Sequence, residues 1–219
     1  MEVLAGNELS YHETRFPFDQ RREIVWQTLC SSFFSKLISP DSHVLELGAG
    51  YGHFINNIRC ARKSAVDQWP GMLEHLRPEV QGHIGSVTDL SFLADDSVDF
   101  VLASNLFEHL TQHEFAATLA ELRKKLKLGG SLNILQPNYR LAYKEYFDDY
   151  THVSIYSDVS LSDFLSANGF EVTESVAGFL PFSVKSTKGP VRPWLIRLYL
   201  ALPWKPFAKQ MFIRAQVAS

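Results

Sequence analysis

Cysteine is scarce. Cys30 and Cys60 are the only two in 219 residues, too few for a disulfide framework or a four-thiolate zinc site, and in keeping with a reducing compartment. An excess of one charge is also lacking: the formal net charge is −3, too mild for a protein whose whole surface grips nucleic acid. No long hydrophobic run is present. The longest apolar stretch, Trp194 to Trp204, is interrupted by Arg197 and Pro203 and falls short of the roughly 20 residues needed to span a bilayer. The opening MEVLAGNELSYHETRF has neither the basic head nor the apolar core of a signal peptide, so the cytoplasm is the expected location. Internal repeats and low-complexity tracts are absent as well. What remains, 46% hydrophobic and 21% charged, is the composition of a globular protein and excludes disorder. At about 100–200 residues per domain, the length predicts one domain with elaborations.

The mild total hides an asymmetry. Residues 1–174 hold all 24 Asp and Glu, whereas residues 175–219 hold none and carry Lys185, Lys188, Arg192, Arg197, Lys205, Lys209 and Arg214. A basic, aromatic-rich segment follows an acidic body.

Hydrophobic periodicity predicts a leading helix from Arg21 to Ile38, with Val25, Leu29, Phe33 and Leu37 at four-residue spacing, ended at Ser39-Pro40. Short apolar runs predict strands at 43–47, 64–66, 83–87, 99–103, 131–135, 170–176 and 210–217. Helices are expected at 54–60, 71–76, after Thr111, and after Ser160, where Ser160 and Asp163 read as a cap. Thr111 with Glu114 reads as a capping box, and Phe115, Leu119, Leu122 and Leu126 form its buried stripe, with Gly129-Gly130 as the stop. Strands alternating with helices predict an α/β fold with a parallel sheet covered on both faces.

In such a sheet a ligand sits outside the carboxyl ends of the strands, where the strand order reverses. The first strand ends in VLELGAGYG, and the second ends in Asp67. Glycines there turn the chain tightly and admit a ligand close to the backbone, and an acid nineteen residues beyond Gly48 can accept from both ribose hydroxyls. A nucleoside-containing cofactor is implied, and a nicotinamide dinucleotide would satisfy these points too. Three details separate the two. The spacing is G-x-G-x-G rather than G-x-G-x-x-G. Glu46, two positions before the first glycine, suits an ammonium better than a pyrophosphate. The motif also begins after some forty residues of leading chain. All three favour S-adenosylmethionine.

With these pieces assembled, the chain resembles the class I S-adenosylmethionine-dependent methyltransferases over about residues 20–180 and the final strand. The matching segments are VLELGAGYG, AVD at 65–67, GSVTDLSF at 85–92, DDSVDFVLASNLFEHL at 95–110 and LKLGGSLNILQPN at 126–138. The resemblance implies a Rossmann-like, doubly wound, seven-stranded and mostly parallel sheet with an antiparallel last strand. It implies one methyltransferase domain over 1–219, with a helical lead at 1–40, an acceptor-pocket segment at 138–160 and a basic amphipathic insertion at 180–209. It places Gly48, Ala49, Gly50, Tyr51 and Gly52 under the methionine and ribose of the cofactor, Glu46 near the methionine amino group, and Asp67 on the ribose. Gln68 would flank the adenine, Ser86 and Val87 would meet its edge, and Ser104 and Asn105 would meet the methionine moiety. Where the family usually carries an adenine-binding acid, this chain has Ser86, with Asp89 three residues on as the substitute.

Methyl transfer from a sulfonium is an in-line displacement, and a hydroxyl acceptor needs a base that an ionised carboxylate does not. His109 and His152 are the candidate bases, the second in FDDYTHVSIYS among Tyr139, Tyr143, Tyr146, Tyr150 and Tyr156. Asp148, Asp149 and His152 supply hard ligands, but adjacent acids point apart on extended chain, and no metal is expected. Ser104-Asn105-Leu106-Phe107 replaces the N-P-P-Y or D-P-P-Y of amino-group methylation of adenine or glutamine, and neither cysteine follows a proline as cytosine C5 methylation requires. A small-molecule or glycan hydroxyl or carboxylate is the expected acceptor, with no nucleic-acid partner. Trp194, Leu195, Leu198, Tyr199 and Leu202 make an apolar helical face amid basic residues. Packing of that face on the body or on a second copy is expected, with a membrane surface or lipid-linked acceptor as the alternative.

Overall fold

The computed structural model describes residues 18–181 and 191–218. Most of the leading YHETRFPF, together with Lys185 and Lys188, lies outside the described residues. The chain runs α1 (Gln20–Ser32), β1 (His43–Leu47), β2 (Arg62–Asp67), α2 (Met72–His75), β3 (Val80–Ile84), β4 (Val98–Ser104), α3 (Gln112–Lys125), β5 (Leu126–Pro137), α4 (Tyr139–Ala142), α5 (Asp158–Ala167), β6 (Phe170–Pro181), α6 (Pro193–Ala201) and β7 (Ala208–Val217). One seven-stranded sheet results, in the order β3-β2-β1-β4-β5-β7-β6. Its central pairings are parallel, and β7 runs antiparallel to both β5 and β6. The order reverses between β1 and β4, which opens a crevice at their carboxyl ends.

Alternation along the strands divides the core in two. Leu45, Leu47, Val101, Ala103, Leu132, Ile134, Met211 and Ile213 face the α3–α5 side with Phe115, Leu119, Leu122, Leu161 and Leu165. Val44, Ala65, Phe100, Leu102, Leu135 and Phe212 face the other side, under α1, Phe34 and Phe54. Period-two side-chain alternation makes this sorting automatic. A register shift between Val98 and Phe100 is the one break in β4.

Several boundaries differ from the sequence expectation. The leading helix ends at Ser32 and gives way to a 3-10 turn over Phe34–Lys36. Ser157, not Ser160, caps α5, with Ser160 at the third helical position completing a reciprocal pair. The capping box at Thr111 and Glu114 is present, but α3 passes directly into β5 at Leu126, well before the glycines. β3 lies three residues earlier than expected, so Ser86 and Val87 fall beyond its end. The segment after Gly52 is a series of turns, not a helix. The Ile55 amide donates to the Glu46 carboxylate at 3.0 Å, and the isolated helical bonds from Asn56 to Gly52 and from Ile58 to Phe54 do not extend into a helix.

Candidate active site

The crevice is built on the loop after β1. Gly48 and Gly50 both adopt left-handed backbone, at φ +63° and +50°, a region that side chains with a Cβ seldom occupy. A Cβ on Gly48 would also stand 2.9 Å from Leu106 Cδ1, so the segment after β4 lies directly against the loop. Gly48 and Ala49 donate to the Val66 carbonyl, and Gly50 donates to Asp67 Oδ2 at 2.7 Å. Asp67 Oδ1 accepts from the Trp69 amide at 2.8 Å. The carboxylate thus locks the loop to the end of β2. Burial raises the Asp67 pKa against these amide hydrogen bonds.

Glu46 lies beneath the loop, only 4% exposed. Burial, with some repulsion from Asp67, pushes its pKa up to about 8 against the Ile55 hydrogen bond. Behind it, α1 is clamped to the same turns: Glu23 Oε2 meets His53 Nδ1 at 2.7 Å, and Glu23 Oε1 accepts from Asn57 at 2.8 Å. An aromatic wall rises over the loop, with Tyr51 edge-on to Trp69 at 5.0 Å and to His75 at 4.7 Å, and Phe18 edge-on to Tyr51 at 5.5 Å. Trp69, His75 and Phe18 are site residues the sequence reading missed. The Trp-Pro pair two residues past Asp67 was the available signal.

The remaining expected residues divide. Gln68 is exposed at the crevice edge. Ser86 Oγ bonds Thr88 and accepts its amide, which closes a turn after β3. Val87 turns its side chain into the core at 5% exposure, so that side chain is not on the ligand face and only the main chain can reach an adenine edge. Asp89 is exposed and accepts from the Ser91 amide, capping its own turn. Asn105 holds φ +49° at the end of β4, donates its backbone amide to Leu135 O at 2.8 Å and accepts from Gln210 at 2.8 Å.

Beyond Asn105, a 3-10 turn over Phe107–His109 packs against the segment 146–154. The Val153 and Ser154 amides donate to the Glu108 carbonyl, and Ser154 Oγ donates to Leu110 O. Tyr146 OH donates to Ser154 O at 2.6 Å. Thr151 Oγ1 bridges His109 Nδ1, at 2.9 Å, and Asp149, at 2.6 Å. The His109 and His152 rings lie 4.9 Å apart, and Tyr146 stands 4.6 Å from His152. Burial and the neighbouring His152 push the His109 pKa down to about 4, and burial, with Asp149, pushes Glu108 up to about 8. The structure therefore brings both expected histidines together with Glu108, whereas Asp148 is exposed and apart. Tyr146 and Tyr156 are buried in packing roles, and Tyr143 and Tyr150 are exposed.

Other features lie away from this crevice. A polar hollow of about 450 Å³ lined by Asn57, Arg59, Lys63, Arg77 and Glu79 opens near the amino end of β2, opposite the ligand end of the sheet. The basic helix α6 packs only part of its apolar face on the body. Tyr199 and Leu200 reach the core, but no α6 residue is buried, and Trp194, Leu198, Trp204 and Phe207 are exposed. Among the described residues no helix is long and apolar enough to cross a membrane.

The fit to S-adenosylmethionine rests on chemistry already described. Two carboxylates, Glu46 and Asp67, close on a loop whose backbone is open to a ligand, which suits an ammonium and ribose hydroxyls and disfavours a pyrophosphate. Comparison with known proteins agrees. Residues 45–134 match the methyltransferase domain family. A methyltransferase-like protein of Schizosaccharomyces pombe is 36% identical over 105 residues, 45% of this chain and 40% of that protein. The malonyl-[acyl-carrier protein] O-methyltransferase of Methylococcus capsulatus is 31% identical over 147 residues, 60% of this chain and 52% of the enzyme. The chain thus spans about half the length of these curated relatives or less. A SAM-dependent methyltransferase from Archaeoglobus fulgidus superposes with TM-score 0.68 at 20% identity, covering 95% of this chain and 98% of that one, which establishes the shared fold. Residues 45–134 thus match a methyltransferase domain model, and the described sheet shares the fold of a SAM-dependent methyltransferase.

Proposed function

We propose that this protein transfers the methyl group of S-adenosylmethionine to an oxygen of a small-molecule or glycan acceptor, a hydroxyl or a carboxylate. The observation that carries the donor half is the Asp67 carboxylate drawn onto the Gly50 amide at the strand-order reversal. Bound there, the cofactor supplies an electrophilic methyl on a sulfonium. The chain's own work is alignment: Gly48 to Gly52 cradle the methionine and ribose, Asp67 accepts from the ribose hydroxyls, and Glu46 faces the ammonium. Gln68 with the backbone at Ser86 and Val87 borders the adenine, and Ser104 and Asn105 border the methyl side. His109 and His152 border the acceptor. The Methylococcus relative, named for O-methylation, supports an oxygen acceptor.

Calorimetric titration with S-adenosylmethionine, S-adenosylhomocysteine and NADH tests the donor half. The first two are expected to bind and NADH is not. Binding of NADH alone would make the protein an oxidoreductase, and silence from all three would make it a non-catalytic relative. Asp67→Ala removes charge-assisted hydrogen bonds of about 1–3 kcal/mol in total, so it should weaken S-adenosylhomocysteine by roughly 5- to 150-fold. Unchanged affinity in a folded variant would remove Asp67 from the ribose.

The partner reading rests on α6 and the chain after it. Exposed Trp194, Trp204 and Phe207 beside Arg192, Arg197 and Lys205 form a basic, aromatic surface, suited to anionic headgroups or a lipid-linked acceptor. Cosedimentation with vesicles containing about one-third phosphatidylglycerol should exceed that with neutral vesicles and fall in salt. Equal recovery with both, alongside a dimer in sedimentation velocity, would assign the face to a second copy.

A further inference from the structure

We infer that Glu108, His109 and His152 form a binding site for a divalent first-row transition cation on the acceptor side of the crevice. One ligand atom from each lies within 4.8 Å of the other two, a separation that small side-chain rotations would close around one ion bonded to all three at about 2.0–2.2 Å. Glu108 supplies the independent observation. It is 0% exposed, and neither carboxylate oxygen has a hydrogen-bond partner among the described residues. A buried carboxyl left without partners costs free energy unless something satisfies it, and a coordinated metal is one of the few groups that can.

The surroundings are those of a ligand shell held from behind. Thr151 Oγ1 fixes the His109 ring through Nδ1 and is itself bonded to Asp149, and outer hydrogen bonds of this kind orient metal-binding imidazoles. The Glu108 main chain is pinned by the Val153 and Ser154 amides, so the two segments that carry the ligands cannot drift apart. Two imidazoles and one carboxylate are a mixed nitrogen and oxygen set. It suits manganese, iron, cobalt or zinc better than magnesium or calcium, which prefer all-oxygen shells. Three protein ligands leave coordination positions open, and Glu108 follows Asn105 by three residues. Such a cation would therefore stand where the acceptor oxygen approaches. That use of the ion rests on the methyl-transfer reading; the site itself does not.

The test is metal binding by the full chain after chelator dialysis, with no cofactor present. Calorimetric titration with Mn²⁺ and Zn²⁺ should show one equivalent bound, and Co²⁺ should develop visible d–d absorption. Glu108→Gln, which keeps the side-chain volume, and His152→Gln should each weaken binding at least tenfold while circular dichroism stays unchanged. S-adenosylhomocysteine binding should persist in Glu108→Gln, and metal binding should persist in Asp67→Ala, so the two readings fail separately. No uptake by the folded wild-type protein at millimolar metal, or uptake that both variants retain in full, would overturn the site. Glu108 would then be a protonated carboxyl buried for packing.

Discussion

Phe34→Ala is expected to destabilise the protein by about 3–5 kcal/mol, the usual range for emptying a phenylalanine site in a core. Phe34 is 0% exposed and lies in the 3-10 turn after α1. Its ring meets Phe33 and Phe54 edge-on, both at 5.1 Å, and lies 6.2–6.4 Å from Trp26, Phe100 and Phe212. One side chain therefore joins the leading helix, the turns after the glycine loop, and strands β4 and β7. Neighbours drawn from four elements cannot collapse together into the hole, so the full cavity cost should appear. For a domain of this size the change corresponds to a fall in Tm of about 6–20 °C. Urea denaturation at neutral pH measures it. A loss below about 1 kcal/mol would mean that the leading segment does not pack on the sheet as described. Phe34 lines no part of the crevice, so S-adenosylhomocysteine affinity of the folded fraction should stay at the wild-type value.

The contrast between what the sequence disclosed and what it concealed follows the range of the interactions involved. The strands that build the crevice were legible because each buried run is local. VLEL is apolar but for Glu46 and FVLA is apolar throughout, and glycines or a polar residue end them where the ligand begins. The Gly48–Gly52 loop and Asp67 were legible for the same reason, since their roles depend on backbone freedom and on a fixed distance along one βαβ unit. Glu108 was not. An acid at the start of a short helical turn reads as a solvated dipole partner, and its burial depends on the 146–154 segment folding across it from some forty residues away. The turns after Gly52 were concealed similarly. Phe54 to Cys60 has the pattern of a helix, but the chain there makes only isolated helical bonds while the Ile55 amide is taken up by Glu46 of β1. The misplaced cap at Ser160 is a different case. Ser157 and Ser160 are both good caps locally, and the choice between them is set by where Tyr156 enters the core. The α6 face packs on the body through Tyr199 and Leu200, and periodicity shows that a face is apolar and not what covers the rest of it.

The buried Glu46 should make both stability and cofactor binding depend on pH. Burial, reinforced by Asp67, holds its pKa near 8 against an ordinary 4.5. A raised carboxyl binds its proton in the folded state between those two values while the unfolded chain has lost it, so folding stability must fall as pH rises through that window. Below about 4.5 the group makes no difference; above about 8 its penalty is complete, on the order of 5 kcal/mol, because each tenfold change in acidity is worth about 1.4 kcal/mol. Glu46→Gln keeps an oxygen for the Ile55 amide and cannot ionise. Relative to wild type it should gain stability from pH 5 to about pH 8 and level off beyond it in parallel urea titrations, and parallel curves throughout would show that Glu46 is already ionised in the folded protein. The cofactor should reverse the penalty, since an ammonium beside the carboxyl favours its charged form. At pH 7 the wild-type protein should release close to one proton on binding S-adenosylhomocysteine, read as a dependence of the calorimetric heat on the ionisation enthalpy of the buffer. Glu46→Gln should bind more weakly and release none. Proton release that survives in the variant would mean that another group faces the ammonium, with Asp67, also raised by burial, the next to test.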